Sequence, residues 1–287
     1  MVDNHKPHIV IIGGGFGGLR AAKALRGKPV RVTLLDKRNF HLFQPLLYQV
    51  ATGGLSPGDI AYPLRSALSK AKNVRVLAAE VVDILPQEKR VILRDGELAY
   101  DYLIVAAGAT DHYFGHDDWA AAAPGLKTIE EATAMRSKIL LAFEAAERET
   151  DAQKQRAWLT FVVVGGGQLA WNWPGPSPGW PCETLVGEFH HIDPRDAQIV
   201  LVEGLSHLLS SFPAELSVQA EKTLVKQGVL VRTNTLVKEI EGARILLHDQ
   251  TTDEETHLTA QTILWAAGTA RLSPGQGAGR THRRRTR

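Results

Sequence analysis

The sequence has very little cysteine and no long apolar run. Its 287 residues include one cysteine, which excludes an internal disulfide and a Cys-x-x-Cys redox pair. No apolar stretch approaches the roughly 20 residues that a membrane-spanning helix needs, and no signal peptide is evident. Lysine plus arginine (33) nearly balances aspartate plus glutamate (31), which argues against a nucleic-acid-binding protein. We therefore expect a soluble, cytoplasmic protein of about two domains.

Glycine, in contrast, is concentrated directly after the first apolar run. The run His8–Ile12 does not alternate, which is typical of a parallel strand covered on both faces. It leads into a Gly-x-Gly-x-x-Gly pattern and then into apolar residues at helical spacing. In such a loop Gly13 permits the tight turn, Gly15 lets the backbone approach a pyrophosphate, and Gly18 lets helix pack on strand.

The next apolar run supplies the acid that a dinucleotide-binding unit needs. Val30–Leu35 is predicted to be a strand and ends at Asp36, whose carboxylate can accept hydrogen bonds from an adenosine ribose. A glycine turn in some other α/β protein is the alternative. The order of strand, glycines, helix, strand and acid favours a dinucleotide site.

The same pattern occurs a second time. The run Leu159–Val164 leads into Gly165-Gly166-Gly167, and Gln198–Val202 ends at Glu203. A carboxylate at this position repels the 2′-phosphate of NADPH and so favours NADH. Two modules suggest two dinucleotides, and a flavin and a nicotinamide form the obvious pair, because a flavin accepts hydride and passes on electrons.

Each module also contains a later apolar strand that ends in Ala-Ala-Gly. Asp101–Gly108 is predicted to be a buried strand, and Thr262–Gly268 repeats its ending. Small residues here allow a close approach of backbone to a ligand, although a tight strand exit would need them equally.

The remaining predicted elements connect these strands. A long helix is predicted over Thr128–Glu149, with Thr128 and Glu131 forming a capping box and an apolar stripe that includes Leu140. The other predicted elements are a helix over Ile60–Lys70, a strand over Val74–Leu77, a hairpin of Glu80–Leu85 and Arg90–Leu93, a helix over Leu216–Lys226, and strands over Val229–Arg232, Val237–Ile240 and Arg244–Leu247.

An unusual segment follows Asp36 within the first module. Lys37–Pro57 is rich in aromatic and apolar residues interspersed with amides and a histidine. This composition is typical of a pocket wall for a planar, partly polar ring. An ordinary packed crossover would have the same composition, so both interpretations stay open.

These segments together resemble the type II NADH:quinone oxidoreductases, single-subunit flavoproteins with two dinucleotide-binding domains. The resemblance covers nearly all of residues 8–268. Besides the first glycine loop it rests on His41–Gly53, Tyr113–Gly115, Ala123–Lys127 and Trp265–Gly268, of which the first is the most specific. It implies an α/β fold with two Rossmann-like three-layer domains, an FAD domain and an NADH domain inserted into it.

The resemblance also assigns cofactor-binding residues. FAD would bind the first module, with the region Gln44–Thr52 beside the flavin ring, and NADH would bind the second. No metal site is predicted. The implied FAD residues are Gly13, Gly15, Phe16, Gly17, Gly18, Asp36, Lys37, Gln44, Gln49, Thr52, Ala107 and Gly108, and the implied NADH residues are Gly165, Gly167, Glu203, Ala267 and Gly268.

One stretch departs from the family pattern. Residues 168–182 contain four prolines, three of the six tryptophans and the single cysteine, where the family has an anion-binding helix. A proline inside a helix costs about 3 kcal/mol, so no such helix is expected here. The codons of Trp171–Pro174, read one base early, give Glu-Leu-Ala, which is the family sequence. We hypothesise that residues 168–182 are translated out of frame, which places Asn172 where the family has a glutamate facing the flavin.

The C-terminal residues are interpreted in the same way. Residues 269–287 are basic, which would suit a nucleic-acid or lipid surface, but a shifted frame also permits a family-like continuation. The predicted domains are therefore 1–112 (FAD), 113–268 (NADH) and 269–287 (out-of-frame tail). The C-terminal part of the FAD domain, with the quinone site and membrane anchor, is expected to be missing.

The resemblance implies hydride transfer from NADH to FAD and electron transfer to a membrane quinone. It implies peripheral association with the cytoplasmic face of the inner membrane and leaves a homodimer open. The alternatives are a related reductase with a soluble acceptor such as ferredoxin or rubredoxin, and an inactive nucleotide-binding remnant. A sulfide:quinone reductase is disfavoured because Cys182 is the single cysteine.

Overall fold

The protein folds as two compact units. The computed structural model describes residues 6–167 and 184–271. The first unit takes its described residues from Met1–Phe43, Ala61–Thr110 and the start of Ala270–Arg287. The second takes them from Gln44–Ile60 and Asp111–Thr269. The domain boundaries 1–112, 113–268 and 269–287 stay predictions.

The described residues contain seven α-helices and eighteen β-strands. The helices are α1 (Phe16–Ala24), α2 (Leu47–Ala51), α3 (Pro57–Ile60), α4 (Leu64–Ala67), α5 (Ile129–Arg148), α6 (Ala152–Trp158) and α7 (Ala214–Lys226). The strands up to residue 111 are β1 (His8–Ile12), β2 (Arg31–Asp36), β3 (Phe40–Leu42), β4 (Ala61–Pro63), β5 (Val74–Ala78), β6 (Val81–Leu85), β7 (Arg90–Leu93), β8 (Gly96–Ala99), β9 (Tyr102–Val105) and β10 (Ala109–Asp111). Later strands are β11 (Thr160–Val164), β12 (Gln198–Val202), β13 (Val229–Arg232), β14 (Thr235–Glu241), β15 (Arg244–Asp249), β16 (Glu254–Thr259), β17 (Thr262–Trp265) and β18 (Thr269–Arg271).

The first unit is built on a parallel sheet with strand order β5-β2-β1-β9. In β1, Ile9 and Ile11 contribute to a core with Leu19 and Ala22 of α1, while Val10 and Ile12 face the opposite side of the sheet. That opposite side packs on the antiparallel sheet β6-β7-β8. Covering on both faces explains why the strand sequences are continuously apolar.

The second unit repeats this plan. Its parallel sheet has the order β13-β12-β11-β17, and the antiparallel sheet β14-β15-β16 packs on one face through Ile240, Ile245 and Leu247. On the other face Phe143 of α5 contacts Phe161 of β11, with ring centroids 5.7 Å apart. The predicted α/β fold with two three-layer, parallel-sheet units is therefore confirmed.

Helix α5 forms as the sequence predicts. The Thr128 side chain accepts a hydrogen bond from the Glu131 N–H, and the Glu131 carboxylate accepts one from the Thr128 N–H, which completes the capping box. The predicted stripe is buried at Ala132, Met135, Ile139, Phe143 and Ala146. Leu140 is exposed, so its inclusion in the stripe was wrong.

The structure corrects two further predictions. The helix predicted over Ile60–Lys70 is interrupted, because β4 pairs antiparallel with β3 and only Leu64–Ala67 is helical. Strand β9 is the edge of its sheet, and Tyr102 and Val105 are exposed, so the strand predicted to be buried is only partly so. The predicted hairpin gains a third strand, β8, and the predicted strands at Val237–Ile240 and Arg244–Leu247 pair with each other and with β16.

No helix among residues 6–167 and 184–271 is long and apolar enough to cross a membrane. The same part of the chain holds no cluster of three or more histidine, cysteine, aspartate or glutamate side chains suited to a metal ion.

Candidate functional sites

The first glycine loop is fixed by close backbone contact. Gly13 has φ +98°, and a Cβ there would lie 2.2 Å from the carbonyl oxygen of Ala106, just beyond β9. A Cβ on Gly18 would lie 1.7 Å from the Gly13 carbonyl oxygen. These two glycines therefore allow strand, turn and helix to meet, as the sequence pattern predicts.

The peptide of Gly14 is held from both sides. Its N–H donates to Oδ2 of Asp36 at 2.6 Å, and its carbonyl oxygen is 3.2 Å from Nδ1 of His41. The other Asp36 oxygen, Oδ1, accepts from the Arg38 N–H at 2.7 Å. Leu64 packs directly beneath Gly14. Asp36 thus positions the loop and still has acceptor capacity for ribose hydroxyls, because a carboxylate offers about four lone-pair sites.

The space over Gly15 is open. A Cβ on Gly15 would meet no atom within 4 Å. Gly15 is the N-cap of α1, no side chain caps this helix, and its first turn contains no acidic residue. The first helical hydrogen bond runs from Leu19 N–H to the Gly15 carbonyl oxygen. The N-terminus of α1 therefore presents N–H groups and positive potential to an anion.

Aromatic side chains stand beside this loop. The Phe16 ring lies edge-on to His41 at 4.9 Å and packs on Phe43 at 5.5 Å, yet about half of its surface is exposed. Lys37 is exposed, immediately after the acid. Phe16 and Lys37 are thus free to contact a bound nucleotide.

The second unit repeats the arrangement. Gly165 has φ +104°, and a Cβ there would lie 2.5 Å from the Ala267 nitrogen. Gly166 donates its N–H to Oε2 of Glu203. Its carbonyl oxygen accepts from the Leu209 N–H at 2.9 Å, and Leu208 packs beneath it. The glycine–acid contact of the first unit therefore recurs.

Gly167 resembles Gly15, because among the described residues no atom would lie within 4 Å of a Cβ there. The helix that should follow it falls within residues 168–183, which lie outside the described part of the chain. Asn172 and the other residues of the out-of-frame hypothesis for 168–182 also lie outside the described part of the chain. Of the predicted tail, residues 272–287 also lie outside the described residues.

The strand exits differ in detail between the units. The Cα of Ala107 would lie 3.2 Å from a Cβ on Gly13. Gly108 has φ +85°, and among the described residues no atom would lie within 4 Å of a Cβ there. Gly268 has φ +75°, and a Cβ there would lie 2.7 Å from the Phe114 ring. Any side chain at position 268 would therefore clash with Phe114 inside the second unit.

The residues predicted to border the flavin ring belong to the second unit. Gln44 is exposed and donates from Nε2 to the Lys127 carbonyl oxygen at 3.0 Å. Gln49 donates to the Tyr48 hydroxyl oxygen at 3.0 Å, and Thr52 is buried. Helix α2 packs on α5, so the packed-crossover interpretation accounts for the apolar residues of α2. The side chains of Gln44 and Gln49 stay at least partly exposed.

A buried acid lies where the chain enters the second unit. Asp111 is about nine-tenths buried, with Oδ1 4.0 Å from Nζ of Lys127. Its carboxylate packs against Gly125, where any side chain would clash. The pKa of Asp111 is raised to about 6, mainly by burial; Lys127 opposes the rise and Glu131 adds to it. The sequence contained no signal for this group.

We expect Asp111→Asn to stabilise the protein at neutral pH. The folded-state pKa of about 6 exceeds the ordinary value of 3.8, so the native state binds more protons between these values and wild-type stability falls as pH rises through them. Above that window ionisation costs on the order of 1–3 kcal/mol. Thermal melts of the variant should therefore exceed wild type at pH 8 and converge with it near pH 4. Exposed Asp95→Asn is the control; a constant difference at all pH values would contradict the account.

Comparisons with known proteins identify the family of the chain. A family model described as pyridine nucleotide-disulphide oxidoreductase matches residues 7–282. The chain is 43% identical over 266 residues to the type II NADH:quinone oxidoreductase NdhA of Mycobacterium tuberculosis, covering 91% of this chain and 56% of that protein. It is 39% identical over 264 residues to Ndh of the same organism, covering 91% and 57%.

A solved structure shows the same fold. NDH2 from Plasmodium falciparum in complex with NADH superposes with a TM-score of 0.81 at 25% identity, covering 93% of this chain and 56% of that chain. The chain thus spans about half the length of the curated relatives it matches.

Proposed function

The chain belongs to the pyridine nucleotide-disulphide oxidoreductase family, and we propose that it is the nucleotide-binding part of an FAD-dependent NADH:quinone oxidoreductase. The similarity to type II NADH:quinone oxidoreductases confirms the resemblance seen in the sequence. The observation that supports the proposal most strongly is the duplicated contact between a glycine-loop N–H and an acid, Gly14 with Asp36 and Gly166 with Glu203.

The first unit has the features that FAD requires. The open space over Gly15 leaves room for a pyrophosphate, and the uncapped N-terminus of α1 supplies N–H donors. Asp36 would accept the ribose hydroxyls, and Phe16 and Lys37 are exposed beside them. We assign Gly17, Gly18, Ala107 and Gly108 to the same site, because they surround the loop in sequence or in space.

The second unit has the features that NADH requires. Gly167 leaves open space for a pyrophosphate, and Glu203 can accept both hydroxyls of an adenosine ribose. Its two oxygens already accept N–H groups of Gly166 and Leu205, so the orientation of the carboxylate is fixed. A fixed anion disfavours a 2′-phosphate, and the site therefore prefers NADH to NADPH.

When bound, FAD would accept hydride from NADH and pass the electrons to a quinone. The chain's own contribution is to bind and orient the two nucleotides through paired loops and acids. We assign Gln44, Gln49 and Thr52 to the surroundings of the flavin ring. We further propose peripheral association with the cytoplasmic face of the membrane, because a membrane quinone is the acceptor, and a homodimer as the assembly.

The proposal is tested by nucleotide content and acceptor assays on the full chain. The purified protein, incubated with FAD and desalted, should retain about one FAD and should bind NADH more tightly than NADPH. NADH oxidation should be faster with a short-chain quinone than with ferredoxin or rubredoxin. A protein that retains no FAD, or one that prefers a soluble protein acceptor, would contradict the proposal.

A further inference from the structure

The residues after Glu203 form a turn whose carbonyl groups are all bound. The Glu203 carbonyl oxygen accepts from the Thr235 N–H at 2.9 Å, and the Leu205 carbonyl oxygen accepts from the Asn234 N–H at 2.9 Å. Both donors are backbone groups at the start of β14, where Asn234 has φ +51°. The turn is therefore attached to the antiparallel sheet of the second unit.

The carbonyl oxygen between these two is bound by a side chain. Nε2 of Gln250, directly after β15, donates to the Gly204 carbonyl oxygen at 2.6 Å. The backbone N–H of Gln250 donates to the Asn234 carbonyl oxygen at 2.8 Å. Gln250 therefore contacts the turn directly. Its own backbone is hydrogen-bonded to Asn234, the residue whose N–H binds the Leu205 carbonyl oxygen.

The peptide held by Gln250 also carries a donor to the acid. The Gly204 carbonyl and the Leu205 N–H belong to one planar trans peptide, so fixing the oxygen fixes the direction of the N–H. That N–H donates to Oε1 of Glu203 at 2.8 Å. Gln250 thus acts on the carboxylate through a single rigid group.

We propose that Gln250 is a positioning residue for the adenosine ribose of NADH, an inference that rests on the function proposed above. It holds the 204–205 peptide so that the Glu203 carboxylate keeps the orientation in which it receives the ribose hydroxyls. Gln250 does not touch the nucleotide; it acts through Glu203.

The test compares ADP with 2′-deoxy-ADP on the FAD-loaded full chain by calorimetry. A bond of this kind corresponds to about a threefold to tenfold change in affinity. Gln250→Leu should weaken ADP binding by that factor and weaken 2′-deoxy-ADP binding less, because 2′-deoxy-ADP lacks one of the two hydroxyls that Glu203 receives. Gln250→Lys, which keeps an N–H donor, should restore ADP binding.

The control is Gln87→Leu, which changes an exposed glutamine in the turn between β6 and β7 of the first unit. It should change neither affinity. Equal weakening of both nucleotides in Gln250→Leu would overturn the inference, because it would show general support of the fold. If Gln250→Leu keeps the wild-type ratio of ADP affinity to 2′-deoxy-ADP affinity, the inference about Gln250 is overturned, while the proposed function stands. A wild-type protein that binds neither nucleotide would contradict the proposed function itself.

Discussion

Gly15→Val is expected to abolish FAD binding while leaving the fold of the first unit intact. Among the described residues no atom lies within 4 Å of a Cβ at Gly15, and the Gly15 φ of −68° is accessible to any residue. The added side chain would occupy the space into which a pyrophosphate must come. We expect at least a 100-fold loss of FAD affinity, with a decrease in apo-protein stability of about 1 kcal/mol from the poorer N-cap.

Two further glycines make this result interpretable. Gly18→Val should prevent folding of the unit, because its Cβ would lie 1.7 Å from the Gly13 carbonyl oxygen. Gly96→Val, at an exposed and open position of β8, should change neither FAD affinity nor the fold. Circular dichroism and FAD titration of the three variants measure both quantities. Retention of FAD by a folded Gly15→Val protein would show that the space over Gly15 is not the phosphate site.

Glu203→Gln is expected to weaken NADH binding by about 10- to 100-fold. The carboxylate accepts two backbone N–H groups, and hydrogen bonds to charged groups are worth about 1.5–3 kcal/mol each. A glutamine in this place must turn its amide donor toward the Gly166 N–H, the Leu205 N–H or the ribose. Loss of the negative charge also removes the repulsion of a 2′-phosphate, so the preference for NADH over NADPH should shrink.

Glu239→Gln provides a control with the same change in net charge. Glu239 is exposed on β14. NADH and NADPH affinities of the two variants should be measured on FAD-loaded protein, with FAD content as an internal check. Equal NADH affinity in Glu203→Gln and Glu239→Gln would contradict the assignment of Glu203 to the ribose.

The parallel strands and glycine loops could be predicted from the sequence because their signals are local. Strands β1 and β11 are continuous apolar runs, since each is covered on both faces. The positive φ of Gly13 and Gly165 follows from the turn that the spacing requires. Helix α5 was evident from its capping box and its 3.6-residue periodicity.

The features that were missed depend on contacts between residues distant in sequence. Strand β16 is almost entirely exposed, so its sequence carries no apolar alternation. Strand β4 forms because it pairs with β3 across the excursion Gln44–Ile60. The contacts of His41 with Gly14 and of Gln250 with Gly204 span 27 and 46 residues. Sequence periodicity cannot predict contacts between such distant residues. His41 did lie in the segment on which the family resemblance rests.

The most direct test of the account is an anaerobic titration of the FAD-loaded protein with NADH, followed by the visible absorbance of the flavin. This measurement needs no acceptor and therefore does not depend on the quinone. We expect stoichiometric bleaching with NADH and a much weaker response to NADPH. A flavin that stays oxidised in excess NADH, in a protein that binds both nucleotides, would contradict the proposed hydride transfer from NADH to FAD.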